Sequence, residues 1–211
     1  MKWLFVSAAA GALLGLASCA TMTADQCLAG DWVGQGFQDG ASGLSMSRLA
    51  DHAEACEKHG VTPDAAAYRT GREQGLVRYC TPENGFRAGR NGSTYAGVCP
   101  AWLEADFLPA YGDGRIVHEA EQALADAQGR VDSLGRELED LDKKITGKQA
   151  ELRAEGLTDE QRDQIRSRIQ EIRRERANAE RDWRRAQESV DEAERDVRDV
   201  RWRFRSEYGN W

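Results

Sequence analysis

Apolar side chains recur at alternating spacings of three and four residues through most of the second half of the chain. Glu, Asp, Arg and Lys fill the positions between them. The first run comprises Val117, Ala120, Leu124, Ala127, Val131, Leu134, Leu138, Leu141, Ile145 and Leu152. The second comprises Ile165, Ile169, Ile172, Arg176, Ala179, Trp183, Ala186, Val190, Ala193, Val197, Val200 and Phe204. A 3.5-residue period held this long is typical of a coiled coil, so the pattern predicts two long helices.

A short polar segment separates the two runs. Gly156 suits the end of one helix, and Thr158 with Gln161 forms a capping box for the next. So short a connection makes the two helices antiparallel neighbours, with a tip at Gly156 and Leu157. Folding about Leu157 pairs complementary positions, with the pairings Leu141 with Ile172, Leu134 with Ala179, Val131 with Trp183, Ala127 with Ala186 and Leu124 with Val190.

The second helix extends beyond the start of the first. We therefore expect its aromatic tail to return to the preceding part of the chain near Phe107 and Tyr111. The tail comprises Val200, Trp202, Phe204, Tyr208 and Trp211. Gly112 and Gly114 are expected to give the first helix a hinge, because glycine weakens a helix.

Three shorter helices are predicted before the coiled coil, over residues 47–59, 62–79 and 81–98. Thr62-Pro63-Asp64 and Thr81-Pro82-Glu83 are both typical helix starts. If the three helices pack antiparallel, Cys80 lies about 25 Å from the end that holds Cys56 and Cys99. That arrangement predicts the disulfides Cys27–Cys80 and Cys56–Cys99. Asn84-Gly85 and Asn91-Gly92 leave a β-hairpin open as an alternative for residues 82–98.

An aromatic residue stands three positions before a glycine in three places. The pairs are Phe37 with Gly40, Tyr68 with Gly71 and Phe86 with Gly89, each followed by a further glycine at 43, 75 or 92. Glycine costs about 1 kcal/mol inside a helix relative to alanine, so its repeated use predicts that helices cross there at close range. A phosphate-binding loop is disfavoured, because the chain has no GxxxxGK[ST] motif.

The N-terminus has the composition of an export signal. Lys2 precedes an apolar run that ends in Leu16-Ala17-Ser18-Cys19, too short for a typical membrane span. This segment resembles the bacterial lipobox, and the resemblance implies that Cys19 is acylated and becomes the first mature residue. Ala20 follows where an aspartate would imply retention in the inner membrane, so the resemblance favours the outer membrane and its periplasmic face. The four remaining cysteines fit two disulfides in an oxidising compartment.

Composition argues against several kinds of partner and chemistry. The net charge is −7, and the arginines at 173–185 alternate with acids, which disfavours a nucleic-acid partner. His52, Cys56 and His59 lie on one helical face, but an exported cysteine with pairing partners is expected to be oxidised, so we expect no metal site. No GxSxG or similar nucleophile motif occurs, and we expect neither catalytic residues nor a cofactor.

Many spaced residues of the first half resemble a known family. They are Asp31, Trp32, Asp39, Gly40, His52, Cys56, Pro63, Asp64, Tyr68, Gly71, Gly75, Leu76, Tyr79, Cys80, Asn84, Gly85, Phe86, Gly89, Tyr95, Cys99, Pro100, Phe107 and Tyr111. The pattern resembles the proteobacterial lipoproteins grouped as Domain of Unknown Function 2799. The resemblance covers roughly residues 20–115 and implies a compartment and domain limits, but no activity.

The sequence therefore predicts three segments: a signal peptide at 1–18, a disulfide-bonded helical base at 19–115 and a coiled-coil hairpin at 116–211. Its expected role is a non-catalytic structural or interaction module, held at the membrane by lipid on Cys19, with an envelope protein or a second copy as partner. An adaptor of an export complex that binds through the tip is the alternative. An enzyme of envelope maintenance is less favoured.

Overall fold

The computed structural model describes residues 21–209 and 211, and all regular structure in them is helical. The predicted all-α fold, with disulfides followed by a long helical hairpin, is confirmed. The helices are α1 Ala24–Ala29, α2 Trp32–Ala41, α3 Arg48–Glu57, α4 Ala65–Tyr79, α5 Pro82–Arg90, α6 Ala101–Leu152 and α7 Asp159–Tyr208. The signal peptide and Cys19 lie outside the described residues.

The chain divides into two compact units. The N-terminal unit holds the chain up to Tyr79 with Ala96–Val98, and the C-terminal unit holds Cys80–Tyr95 and Cys99–Trp211. This division differs from the expected ranges 19–115 and 116–211. It does so because α5 packs against α6, which runs through residue 115 without a break.

In the N-terminal unit, α2 and α4 form a pair of helices that cross at close range. We call it the first pair. Gly36 and Gly40 of α2 face Gly71 and Gly75 of α4, and a Cβ atom at any of the four would overlap the backbone of the other helix. The predicted helix crossing is confirmed at Gly40, Gly71 and Gly75, whereas Gly43 lies beyond the end of α2 with a positive φ of 69°.

The second pair, α5 with α6, lies in the C-terminal unit. Thr81 caps α5 through its side chain, and Pro82 stands at the first helical position. Gly85 and Gly89 meet the backbone of α6, and Gly114 of α6 meets the backbone of α5. The predicted hinge at Gly112 and Gly114 is therefore wrong, because Gly114 is buried where α5 approaches and α6 continues through it.

The two pairs share a residue pattern. Both α2 and α5 contain Gly-Phe-x-x-Gly, at Gly36–Gly40 and Gly85–Gly89. Their partners contain an aromatic residue, then a small residue three positions on and a glycine four further on, at Tyr68–Gly75 and Phe107–Gly114. The chain thus builds the same glycine-lined crossing twice.

The disulfides join Cys27 to Cys56 and Cys80 to Cys99. All four predicted cysteines are paired, but the predicted partners are wrong. The error lies in the third helix, which ends at Arg90 and not near Val98. Residues 91–98 then return without regular structure, which brings Cys99 to within 5.7 Å of Cys80 between Cα atoms. Each bond joins the segment before the first helix of a pair to the segment before its second helix.

Two long antiparallel helices dominate the C-terminal unit. At 1.5 Å per residue, the 52 residues of α6 span about 78 Å and the 50 residues of α7 about 75 Å. Thr158 and Gln161 form the predicted capping box at the start of α7. Pro109 lies inside α6 at an exposed position, and the helix continues past it.

The register of the two helices agrees with the predicted one near the tip, where Leu141 and Ile172 share a buried cluster, and differs from it towards the other end of the hairpin. Val190, expected against Leu124, lines a surface groove with Val131. Ala127, expected against Ala186, lines another with Ala193. Both differences equal seven residues, because a heptad pattern looks the same after a shift of one heptad.

The aromatic tail of α7 returns to the preceding part of the chain, as predicted, but its rings pack mainly on Phe86. The Tyr208 ring stacks on Phe86 at 4.0 Å between centroids, and Phe204 is buried in the same cluster. Trp202 was predicted to join them and is instead 82% exposed. Phe204 and Tyr208 share one helical face at a spacing of four, whereas Trp202 stands two residues away and points outward.

Candidate functional site: a buried carboxylate, imidazole and hydroxyl network

Three helices of the N-terminal unit each contribute one polar side chain to its interior. Asp39 comes from α2, His52 from α3 and Tyr68 from α4. Their exposed fractions are 5%, 0% and 0%. Asp39 directly precedes Gly40 and His52 is one turn before Cys56, so the glycine crossing and the Cys27–Cys56 disulfide hold the two helices that carry them.

Asp39 is the centre of this group, which we call the Asp39 network. One carboxylate oxygen accepts hydrogen bonds from the Tyr68 hydroxyl and the His52 Nε2–H, both at 2.7 Å. The other accepts from the Gln35 side-chain amide at 3.2 Å. A carboxylate can only accept, so the proton between His52 and Asp39 is on Nε2. Three donors satisfy a charge whose burial would otherwise be costly.

Burial and the neighbouring carboxylate both act on Tyr68. Burial in the core raises the pKa of its hydroxyl well above the usual value of 10.0, and the hydrogen bond to Asp39 raises it further. Both causes disfavour the phenolate. Tyr68 therefore remains a proton donor to Asp39 at any physiological pH.

The network continues to the first residue that the structure describes. His52 Nδ1 lies 2.8 Å from the Thr21 Oγ1, and in the neutral imidazole this nitrogen accepts the hydroxyl proton. Met22 is next, with 4% of its surface exposed, in a core cluster with Cys27, Trp32, Cys56 and Tyr68. Thr23 then caps α1 in a capping box. Thr21 and Met22 are thus fixed by the core, and Thr23 is fixed by the first turn of α1.

A carboxylate, an imidazole and a hydroxyl in sequence are also the components of a nucleophile relay. Here the imidazole is fully buried, and the carboxylate is shared with Tyr68 and Gln35. Only the Thr21 hydroxyl, at the half-buried end, is near solvent. The arrangement suits the fixing of a chain segment, because every polar atom of the imidazole is engaged within the protein.

The residues considered for a metal are engaged elsewhere. Cys56 is bonded to Cys27 and has no thiolate to offer, while His52 is held by Asp39 and Thr21. His59 is half-buried beyond the end of α3. Across residues 21–209 and 211, no cluster of three His, Cys, Asp or Glu side chains has a geometry that would hold a metal ion.

Two further predicted sites remain, the lipidation site and the tip of the hairpin. Cys19 is outside the described residues. At the tip, Gly156 is exposed with a positive φ of 80° and Leu157 is half-buried. In the described part of the chain, no helix is both long and apolar enough to span a membrane.

Sequence reasoning did not foresee the network. Asp39, His52 and Tyr68 are separated by 13 and 16 positions, and only the tertiary fold brings them together. A signal did exist, since Asp39 stands on the glycine-bearing face of α2 in the Gly36–Gly40 motif. A carboxylate on a face that must approach another helix requires buried donors.

Residues 31–116 match the family model described as "Protein of unknown function (DUF2799)". The matched segment begins at the N-cap of α2 and ends just past the crossing of α5 with α6, so it contains both glycine pairs together with Asp39, His52 and Tyr68. Most of the two long helices lies beyond it. No curated protein and no solved structure was found to match the chain. The resemblance to this family of unknown function is therefore supported over residues 31–116, which are less than half of the chain.

Proposed function

We propose that the chain is a cell-envelope lipoprotein, anchored by acyl chains on Cys19 to the periplasmic face of the outer membrane. The observation that carries this proposal is the use of the cysteines. Four of the five are paired in two disulfides, which suits an oxidising compartment. The fifth, Cys19, follows an apolar leader with small residues at its end.

The proposed role is non-catalytic, as a structural or protein-interaction module. Two features support it: the imidazole of the Asp39 network is enclosed, and the largest part of the chain is a helical hairpin. That hairpin extends well beyond the family domain and ends in a short connection between Leu152 and Asp159. A long, rigid extension with an exposed end suits the bridging of a distance.

Metabolic labelling tests the anchor. Cells that express the full chain are given an alkyne-tagged fatty acid, and envelope fractions are separated on a density gradient. We expect label on the protein and recovery with the outer membrane. Cys19→Ser should lose the label and leave the membrane fraction, whereas Ala20→Ser, one residue away, should retain both. Label that persists in Cys19→Ser would contradict the proposal.

A second candidate is an adaptor that contacts an envelope partner through the tip. The length of the two helices favours it, because they carry Gly156 and Leu157 far from the crossing at Gly114. A photo-crosslinking amino acid at Leu157 should yield one heavier species in cells. The matched control is Gly129, exposed in mid-helix with open space around it. Equal products from both positions would reject a tip-specific partner.

A further inference from the structure

The linker between the proposed lipid anchor and the first residue bound to the folded core is very short. Only Ala20 separates Cys19 from Thr21. Two residues span at most about 7 Å when fully extended. An acylated cysteine at position 19 would therefore lie within about 7 Å of a residue that is hydrogen-bonded to a fully buried histidine.

The core holds two of the first described residues, and the start of α1 holds the third through a local capping box. Thr21 binds His52, Met22 is buried beside the Cys27–Cys56 disulfide, and Thr23 caps α1. The Met22 Sδ lies 4.0 Å from the Cys56 Sγ. Freeing residues 21–23 as a tether would expose Met22 and leave the buried His52 Nδ1 without its partner, which is costly.

The helix that follows presents an apolar side chain to the surroundings. α1 begins at Ala24, and its Leu28 is 67% exposed while the neighbouring Cys27 is completely buried. Leu28 stands nine positions after Cys19. The interfacial layer of a bilayer adds roughly 5–8 Å on each side of the hydrocarbon, a depth that equals the full reach of this tether.

We propose that the N-terminal unit is seated directly on the membrane surface, with Leu28 of α1 in contact with the lipid headgroup layer. This inference rests on the proposed anchor at Cys19. The hydrogen bond from Thr21 to His52 of the Asp39 network then holds the residues after Cys19 against the folded unit. The ligand of this surface is the phospholipid bilayer itself, and no protein partner is needed to cover Leu28.

Photo-crosslinking to lipid tests the seating. The acylated full chain, with a benzophenone amino acid at Leu28, is placed in vesicles of phosphatidylethanolamine and phosphatidylglycerol that contain an alkyne-tagged phospholipid. We expect a tagged adduct after irradiation. A flexible insertion of about twelve Gly and Ser residues between Ala20 and Thr21, with a root-mean-square span near 20 Å, should remove most of the adduct. The same insertion after Glu155 at the tip should leave it unchanged.

The outcomes distinguish the contact of Leu28 with the membrane from the acylation of Cys19. An acylated protein that gives no adduct at Leu28, or that gives equal adduct with and without the insertion at Ala20, overturns the seating and leaves the anchor intact. A protein without acyl label at Cys19 overturns both.

A substitution at Thr21 tests independently whether its hydrogen bond to His52 holds Leu28 at the membrane. Thr21→Val removes the hydroxyl at similar size and should reduce the Leu28 adduct, whereas Thr21→Ser keeps the hydrogen bond to His52 and should preserve it. Equal adduct yields from these two variants would show that the hydrogen bond does not hold the segment.

Discussion

The first and second helix pairs have the same crossing but different interiors. Where the first pair has Asp39, the second has Ala88 at the matching place in the Gly-Phe-x-x-Gly motif. Where the first has Tyr68, the second has Phe107, buried to 0% exposure and packed on the aromatic rings of Tyr95 and Tyr111. The second pair also has no counterpart of α3, the helix that contributes His52.

This difference shows that the crossing itself does not need buried polar groups. Glycines at the contact and a disulfide before the two helices are common to both pairs. The Asp39 network is thus an addition to a scaffold that also exists in an apolar form. The network lies where Thr21 and Met22, the first described residues after the proposed anchor, contact the core of the first pair.

Removal of the Asp39 carboxylate should produce the largest difference in stability between the first and second pairs. Asp39→Ala copies Ala88 of the second pair but leaves His52 and Tyr68 buried without their acceptor. Loss of one partner from a buried hydrogen-bonded set costs about 3–5 kcal/mol. We expect the N-terminal unit to be destabilised by that amount, as measured by hydrogen exchange of α2 and α4, while α5 and α6 keep their protection.

Two controls make that result specific. Asp51→Ala removes an exposed acid of α3 and should change stability by less than about 0.5 kcal/mol. The triple variant Asp39→Ala, His52→Leu, Tyr68→Phe converts the network to apolar side chains and should recover much of the loss. A triple variant no more stable than Asp39→Ala would show that the first pair depends on its polar interior.

Loss of either disulfide should weaken its own pair by a similar amount. The bonds close loops with sequence separations of 29 and 19 residues. Chain entropy assigns about 3.5 kcal/mol to each, because the dependence on loop length is logarithmic. We expect Cys27→Ala with Cys56→Ala to destabilise α2 and α4, and Cys80→Ala with Cys99→Ala to destabilise α5. Hydrogen exchange followed helix by helix would reveal an effect on the wrong pair.

Replacing a crossing glycine with alanine should reduce stability somewhat less than loss of a disulfide, and by a similar amount in both pairs. A Cβ at Gly71 would overlap the Val33 carbonyl, and a Cβ at Gly89 would overlap the Tyr111 carbonyl. Overpacking of this kind costs about 1–3 kcal/mol. Gly112→Ala is the matched control, because open space surrounds it within α6 and alanine gains helix propensity. Thermal unfolding of all three variants would test whether the crossings have the same tolerance.

A rise to alkaline pH should produce the smallest loss of stability, and it should do so in both pairs. Burial raises the pKa of Tyr68, and burial with the hydrogen bond to Asp113 raises the pKa of Tyr208, which stacks on Phe86. A tyrosine whose pKa is higher when folded contributes full stability below its unfolded pKa of about 10 and loses it as pH rises further. Urea unfolding between pH 8 and 11 should show this loss, which Tyr68→Phe reduces in the first pair and Tyr208→Phe in the second. Unchanged pH dependence in Tyr68→Phe would exclude that group.

The sequence predicted correctly those features that depend on interactions between residues close together in the chain. The heptads, the capping box at Thr158 and the aromatic and glycine spacings each depend on near neighbours, and the helices and close crossings they predicted are present. The disulfide partners were not local. They depended on whether residues 91–98 continue α5 or return, and Asn91-Gly92 ends the helix with a positive φ at Gly92.

Two other features were beyond sequence patterns for separate reasons. The register of α6 and α7 is degenerate under a shift of one heptad, so side-chain size alone does not select it. The Asp39 network joins residues from three helices. The sequence predicted a structural role for His52 rather than a metal ligand, but it did not identify the hydrogen-bond partners. Its partners became identifiable only once α2, α3 and α4 were placed.

The unbroken course of α6 has a mechanical consequence. One helix supplies both a side of the second pair, at Gly114, and the approach to the tip, at Leu152, with no joint between them. The 38 residues between these points form a lever of about 57 Å. A tilt of roughly 5° at the crossing moves the far end by about 5 Å over that length. A load applied at the tip is therefore transmitted as torque to the contacts that Gly85 and Gly89 of α5 make with the backbone of α6.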